Sequence, residues 1–290
     1  MHSRFDFISK GVACASLFGV LLLTTGAPLV TKAQAQDQAS APTPAQSDED
    51  RGYAIAKKAD QSDLGYTDHK VSLKMVLRNA QGQEATRDMR FTVQEVADTG
   101  LGDRSLIIFD SPADVSGTAL LSHAKILDAD DQWLFLPEGK KIKRISSKNK
   151  SGPFVGSEFA FEDFTAQELN KYKYKFLRQE PCPNTPELTC DVVERYPLYE
   201  RSGYTRQIGW TDTEVFQTRR ITFYDRKDSL LKTLDSLNYK LYDGKYWRVQ
   251  LMKMNNHQTG KSTDLVYGPY SFKNGLTDKD FVKGVLNTLY

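Results

Sequence analysis

The strongest constraint on the fold is a two-residue alternation of apolar and polar side chains that recurs along most of the chain. Between Val71 and Leu77, every second residue is apolar. This period places successive side chains on opposite faces of a β-strand, so that one face can be buried while the other meets water. The polar turn 79–82 interrupts the pattern, and 86–96 resumes it as the expected hairpin partner.

Further strands follow at short intervals, with turn residues between them. The predicted strands are 104–110, 118–128, 132–136 and 141–144 in the first half, and 172–178, 189–197, 204–211, 218–225, 229–242, 247–255 and 261–267 in the second. Long helices do not separate these strands, which favours an antiparallel meander over βαβ units.

Three helical segments accompany the strands. The spacing of apolar residues predicts an amphipathic helix over 51–62, and the acids at 48–50 suit its N-terminus. A short helix is expected within 158–170, where the acids at its start are interpreted as solvated. A final helix begins at a cap near Thr277. Its shared apolar face consists of Phe281, Val285, Leu286 and Leu289.

The fold class is therefore mainly β (α+β), either one curved sheet or an incomplete barrel. Such a sheet must cover its apolar face, and incomplete cover by helices leaves a cavity.

The first 35 residues are typical of a secretory signal peptide. Arg4 and Lys10 precede the apolar run 11–23, and Ala33 and Ala35 are the small residues that signal peptidase requires. The run has about 13 residues, fewer than the roughly 20 needed to span a membrane. We therefore expect cleavage after Ala35 and a periplasmic protein.

The mature chain begins with a low-complexity segment. Residues 36–50 are rich in Ala, Pro, Gln and Ser and predict a flexible linker, followed by a single domain over 51–290. The first 35 residues hold three of the 39 basic and one of the 37 acidic residues, so the remainder has no net charge. This balance argues against nucleic-acid binding, which normally requires a basic excess.

Two cysteines remain after cleavage, Cys182 and Cys190, and they bracket a turn-rich segment. In an oxidising compartment such a pair predicts a disulfide. The alternative is a redox or metal pair, but the spacing is too wide for Cys-x-x-Cys and no histidine lies nearby in the sequence.

Motifs for catalysis or cofactor binding are absent from the sequence. The four histidines are dispersed, and there is no His-Glu-x-x-His, Gly-x-Ser-x-Gly, P-loop or dinucleotide fingerprint. We therefore predict no catalytic residue, metal or cofactor, and do not expect an enzyme.

Apolar side chains on the first strands are the candidate lining of a cavity. The candidates are Phe91, Val93, Leu106, Ile108, Leu120, Ile126, Trp133, Leu134 and Leu136. Trp133 either stacks at the rim or packs in the core, and a strand Trp is more often packed. A filled hydrophobic core explains the same pattern, and periodicity cannot separate the two. Arg144 either meets an anionic head group at the mouth or pairs with Glu158 or Asp163. The glycine-containing loop 146–157 is either a moving element or a passive surface loop.

Several segments in order carry a family resemblance. They are 52–56 with 75–77, then 108–112 with 117–121, and then 132–137, 143–145, 154–159 and 161–164. Together they resemble the outer-membrane lipoprotein-sorting protein family, the LolA-like group.

The resemblance implies a half-open antiparallel β-barrel with helices across its concave face. It also implies a periplasmic carrier of lipid or acylated lipoprotein, moving cargo between the inner and outer membranes with an RND/MMPL-type transporter. We expect this carrier to be a monomer. The alternative is a lipid-sensing regulatory module of the envelope that transfers nothing.

Overall fold

The structure is a computed structural model that describes residues 46–96 and 101–289. The predicted signal peptide 1–35, its cleavage site and most of the predicted linker 36–50 lie outside the described residues. Helix α1 spans Asp48–Ser62. The strands are β1 Asp68–Arg78, β2 Glu84–Gln94, β3 Leu101–Ser111, β4 Ala119–Lys125, β5 Asp131–Leu136, β6 Lys141–Arg144, β7 Tyr172–Cys182, β8 Thr185–Pro197, β9 Arg206–Asp212, β10 Thr218–Tyr224, β11 Leu230–Leu237, β12 Lys240–Tyr242, β13 Tyr246–Arg248, β14 Leu251–Asn256, β15 Ser262–Tyr267 and β16 Ser271–Phe272.

The described strands form one large antiparallel sheet and a separate hairpin. The order across the sheet is β6-β5-β4-β3-β2-β1-β15-β14-β11-β10-β9-β8-β7, with β16 also paired to β1, while β12 and β13 pair with each other. The sheet is open, which confirms the expected mainly β, half-open architecture. The predicted strands 229–242 and 247–255 each divide in two, because the β12–β13 hairpin leaves the sheet.

The strand order determines the path of the chain. The first six strands run from the centre of the sheet to one edge, and β7 begins at the opposite edge. Residues 145–171, here called the connector, join these two edges. Strand β15, from the second half of the chain, pairs with β1, so that Met75 lies opposite Leu265. This pairing joins the strands β1–β6 and the later strands into one continuous sheet.

Helix α1 begins three residues earlier than the sequence pattern suggests. Asp48, Glu49 and Asp50 form its first turn, and Ser47 caps it by accepting a 3.0 Å hydrogen bond from the Asp50 N–H. The helix lies against β7. Arg51 stacks over the Phe176 ring at 3.5 Å.

The other two segments that were predicted to be helices form only short 3₁₀ turns. The middle segment contains the 3₁₀ turns Phe161–Phe164 and Leu169–Lys171, and the final one contains Asp278–Phe281 and Lys283–Asn287. Val282 is extended between the last two turns, and Gly284 follows it. β-Branched residues and glycine have low helix propensity, so the helical spacing of this segment is only weakly supported by its residues. Its tertiary packing therefore determines its conformation.

Gly52 allows α1 to approach β7 closely, and this contact gives a test of the fold. A Cβ atom at this position would lie 2.8 Å from the backbone nitrogen of Phe176. We expect Gly52→Ala to lower the free energy of unfolding by about 1–3 kcal/mol through overpacking, measured by urea denaturation. The exposed Lys57→Ala on the same helix should change it by less than about 0.5 kcal/mol. A stabilised Gly52→Ala, the result expected from helix propensity alone, would contradict the close packing.

Candidate functional site

The connector crosses one face of the sheet, here called the inner face, and fills one end of it with aromatic rings. Phe154 is fully buried, and its ring centroid lies 4.5 Å from that of Phe164 and 5.6 Å from that of Phe109 on β3. Phe159 and Phe161 belong to the same cluster. This end of the inner face is therefore a solid core.

Two buried carboxylates hold the connector in place. The Asp163 carboxylate accepts hydrogen bonds from Lys232 Nζ at 2.7 Å, from Tyr204 OH at 2.8 Å and from the backbone N–H of Ala160 at 2.7 Å. These contacts join the connector to β11 and to the segment before β9. Loss of Lys232 would leave the negative charge of Asp163 without a cation in a site largely removed from water.

Glu162 fixes the same turn from its other side. Its carboxylate accepts hydrogen bonds from the Gly203 N–H at 2.8 Å and from Ser202 Oγ and Tyr199 OH, both at 2.9 Å. Burial raises the pKa of Glu162, while these donors act in the opposite direction. The interpretation of the acids in 158–163 as a solvated helix start is thus wrong, because Glu162 is only 5% exposed.

The other end of the inner face is hollow. A cavity of about 1220 Å³ lies between the sheet, the connector and the end of α1. Its volume exceeds the roughly 300–1,000 Å³ of ordinary small-molecule sites. Its apolar walls comprise Phe91, Val93, Ile126, Phe159, Phe164, Ile221, Phe223, Leu234, Met252, Met254, Leu265 and Tyr267.

The cavity opens between the end of α1 and the last part of the connector. The exposed residues on its lining mark this opening, and they include Leu64, Leu101 and Gln167. A second space of about 160 Å³ lies under α1 and shares Ala59 and Ile221 with the first. Helix α1 therefore covers the inner face without filling it.

Carboxyl groups gather beside the opening. Burial raises the pKa values of Asp63 and Asp103, although Arg248 opposes the effect at Asp63. Asp103 accepts hydrogen bonds from Tyr66 OH at 2.8 Å and from the backbone N–H of Val96 at 2.9 Å. Burial, and then the nearby charge of Asp103, raise the pKa of Glu168 to about 7. The lining thus changes from apolar in the interior to polar at the opening.

The structure places three of the ten candidate side chains on the cavity lining, namely Phe91, Val93 and Ile126. Leu120 and Leu134 face the same side but are packed with the phenylalanines of the connector. Leu136 shares their face by strand alternation, at the filled end.

The remaining candidates lie on the opposite face of the sheet, the outer face. Leu106, Ile108 and Trp133 belong to a separate cluster covered by the C-terminal segment, in which Phe281 and Leu286 are almost fully buried. The final segment therefore packs on the outer face and not across the cavity. Arg144 is exposed and pairs with Asp131, so neither of the partners considered from the sequence, Glu158 and Asp163, is the one observed.

Sequence reasoning missed the lining contributed by the second half of the chain. Ile221 and Phe223 on β10 and Met252 and Met254 on β14 occupy alternate positions that face the cavity. Their two-residue spacing was visible in the sequence. The pairing of β15 with β1, which brings both halves to one cavity, was not.

The loop 146–157 is tied down at several points. Phe154 is fully buried within it, and Lys150 donates to the backbone oxygen of Asp130. Arg226 donates to Ser151 Oγ at 3.2 Å. This part of the connector is therefore neither a free lid nor a passive surface loop.

Other expectations concern covalent and metal chemistry. Cys182 and Cys190 form the predicted disulfide within the β7–β8 hairpin. Among the described residues, no group of three or more potential ligands could hold a metal ion. No helix within 46–96 and 101–289 is long and apolar enough to cross a membrane.

The open antiparallel sheet with a large apolar cavity on its inner face is the arrangement to compare with known proteins, and the comparisons show the family to which the chain belongs. An outer membrane lipoprotein-sorting protein domain from Vibrio parahaemolyticus is 47% identical, with 82% of this chain and 98% of that chain covered and a TM-score of 0.78. A DUF1329 family protein from Desulfovibrio piger is 27% identical, with 83% and 100% covered and a TM-score of 0.77.

Two further comparisons agree with this placement. A LolA superfamily protein from Nitrosomonas europaea shares the fold at 21% identity, with 81% and 98% covered and a TM-score of 0.64. A family model described as uncharacterized protein-like matches residues 102–288. Curated protein sequences give no match. The chain belongs to the outer membrane lipoprotein-sorting protein family, which confirms the resemblance seen in the sequence, and it shares the LolA-like fold.

The buried ion pair between Lys232 and Asp163 can be tested directly. Because both side chains are at least nine-tenths buried, Lys232→Met leaves an uncompensated carboxylate inside the protein. We expect a loss of about 3–5 kcal/mol in the free energy of unfolding, measured by chemical denaturation. Lys261→Met, at an exposed position, is the matched control and should be nearly neutral. An equally small effect at both lysines would contradict the anchoring role.

The raised pKa of Glu168 predicts a pH-dependent stability. The folded protein retains a proton that the unfolded chain releases between the ordinary pKa of 4.5 and about 7, so this contribution is lost as pH rises through that window. Glu168→Gln should therefore gain stability relative to the unmodified protein between about pH 5 and about pH 8. Denaturation at both pH values measures the difference. The exposed Glu187→Gln should show no such trend, and a flat difference for Glu168→Gln would refute the assignment.

Proposed function

We propose that this protein is a periplasmic carrier that binds the acyl chains of a lipid or lipoprotein in the cavity and moves them between the inner and outer membranes. The apolar cavity of about 1220 Å³ is the observation that carries the proposal. Membership of the lipoprotein-sorting family supports it. An RND/MMPL-type transporter is the proposed donor at the inner membrane.

The physical basis is removal of hydrocarbon from water without covalent chemistry. Each methylene group transferred into an apolar site contributes about 0.8 kcal/mol. A chain of about 16 carbons could therefore gain on the order of 10 kcal/mol before ordering costs are subtracted. The polar residues at the opening suit a head group that stays near water while the chains lie inside.

Retention of lipid during purification tests the proposal. The full chain is expressed with its own N-terminus and purified from the periplasm without detergent, and bound lipid is identified by mass spectrometry. We expect a stoichiometric lipid. Protein that is free of lipid and also fails to take up a fluorescent fatty acid would contradict the carrier function.

A matched pair of tryptophan variants locates the lipid. Ile221→Trp adds volume inside the cavity, whereas Val266→Trp adds the same type of side chain on the outer face beside the lining residue Leu265. We expect Ile221→Trp to retain severalfold less lipid per protein, because its indole occupies the acyl site, and Val266→Trp to match the original protein. Equal lipid in both folded variants would place the binding site elsewhere.

Transfer itself requires a separate measurement. Loaded protein should deliver labelled lipid from donor to acceptor vesicles faster than spontaneous exchange. Binding without transfer would support the sensing module instead of the carrier.

A further inference from the structure

The edge of the sheet at β6 concentrates positive charge in a chain whose mature charge is balanced. Residues 137–150 contain six basic residues and one acid, Glu138. Five of the basic side chains are exposed and form what we call the basic edge, consisting of Lys140, Lys141, Lys143, Arg144 and Lys148. The sixth, Lys150, is buried and donates to the backbone oxygen of Asp130.

Most of these cations have no acidic partner in the protein and can bind an external anion. Arg144 pairs with Asp131, which also accepts an ion pair from Lys125 at 2.9 Å. Within the described part of the chain, the four lysines of the basic edge have no ion-pair partner. At the opposite edge, β7 has two exposed lysines without an ion-pair partner among the described residues, Lys173 and Lys175, and its Arg178 pairs with Glu180 at 2.8 Å. The basic edge therefore differs in the number of cations that it gathers.

The strand geometry distributes the cations of β6 over both faces of the edge strand. Lys143 lies opposite Leu134, which packs on the inner face, and Arg144 lies opposite Trp133 on the outer face. Cations therefore flank both faces of the last strand, and β6 pairs only with β5 among the described strands. A planar anionic surface that approaches the edge can meet cations from both faces of β6, whereas an approach to one face meets only the cations on that face.

From this arrangement we propose that the basic edge docks the protein, edge-on, to the surface of a bilayer that contains anionic phospholipid. The phosphate groups of such lipids complement unpaired lysines, and each cation near the surface strengthens the attraction. Solubility offers another reason for lysines on edge strands, because they block edge-to-edge pairing. The two explanations predict different behaviour toward vesicles.

The proposal builds on the carrier function, since it names the kind of surface that a carrier would visit. The connector begins at this edge, directly after β6, so docking there brings the start of the connector to the bilayer. Screening of the charges by salt should weaken the contact, because exposed charges lose their attraction beyond about 8–10 Å at physiological ionic strength.

Vesicle co-sedimentation of the mature protein tests the proposal. The probes are vesicles of phosphatidylglycerol with phosphatidylcholine and vesicles of phosphatidylcholine alone. We expect salt-sensitive binding to the first only. A quadruple variant with Lys140→Gln, Lys141→Gln, Lys143→Gln and Lys148→Gln should bind on the order of a thousandfold more weakly. The control variant removes the same charge from four exposed lysines elsewhere, with Lys74→Gln, Lys227→Gln, Lys261→Gln and Lys283→Gln.

Several outcomes would overturn the proposal. Equal losses in the two quadruple variants would indicate a general charge effect. Binding only to vesicles that carry inner-membrane proteins would indicate a protein partner. A basic-edge variant that aggregates but still binds anionic vesicles would show that the lysines serve solubility alone.

Orientation and cargo are measured on the same samples. An environment-sensitive dye on Ser146→Cys should respond to anionic vesicles, while the same dye on Ser229→Cys should not. Equal responses would contradict edge-on docking.

Bound lipid is quantified in each variant. Lost docking with unchanged lipid content separates the basic edge from the cavity, and absence of lipid from every sample would count against the carrier function only.

Discussion

The structure depends on the crossing of the inner face by the connector. Because β6 and β7 are opposite edges of the same sheet, the chain between them has to pass over apolar side chains. The crossing carries four phenylalanines into the core and takes Glu162 and Asp163 with them. Burial of two carboxylates is unfavourable unless each is fully hydrogen-bonded, and Lys232, Tyr204 and the backbone of Gly203 provide those bonds.

The cavity follows from how far this packing extends. The phenylalanine cluster fills one end of the inner face. At the other end, α1 packs on the edge strand β7, and the last part of the connector and the end of α1 leave the space between them and the sheet empty. Met252 and Met254 line the resulting space. Methionine is unbranched and adaptable, so these side chains can rearrange around guests of different shape. A void of this size inside a protein loses many contacts, and a bound guest would restore them.

The sequence predicted local structure well and long-range structure poorly. Alternation identified the strands, and spacing identified the disulfide. The pairing of β1 with β15 joins residues almost 200 positions apart and leaves no local signal.

The candidate lining failed at Leu106, Ile108 and Trp133 for a related reason. Their strands are buried on both faces, so an apolar residue there does not reveal which face it occupies. The final segment had helical spacing but the packing of Phe281 and Leu286 overrode it.

Burial on both faces also determines which walls of the cavity can change. Strands β3, β4 and β5 lie between the connector on the inner face and the C-terminal segment on the outer face. His123 Nε2 bonds to the backbone oxygen of Phe281 at 2.7 Å, and Arg104 pairs with Asp278 at 2.5 Å. Close packing of this kind makes the wall stiff. The opposite boundary, at the end of α1, has empty space on its inner side and exposed residues at the opening. Adjustment to a guest therefore comes from α1, from the side chains around the opening and from the methionines of β14, while the wall beside the basic edge stays fixed.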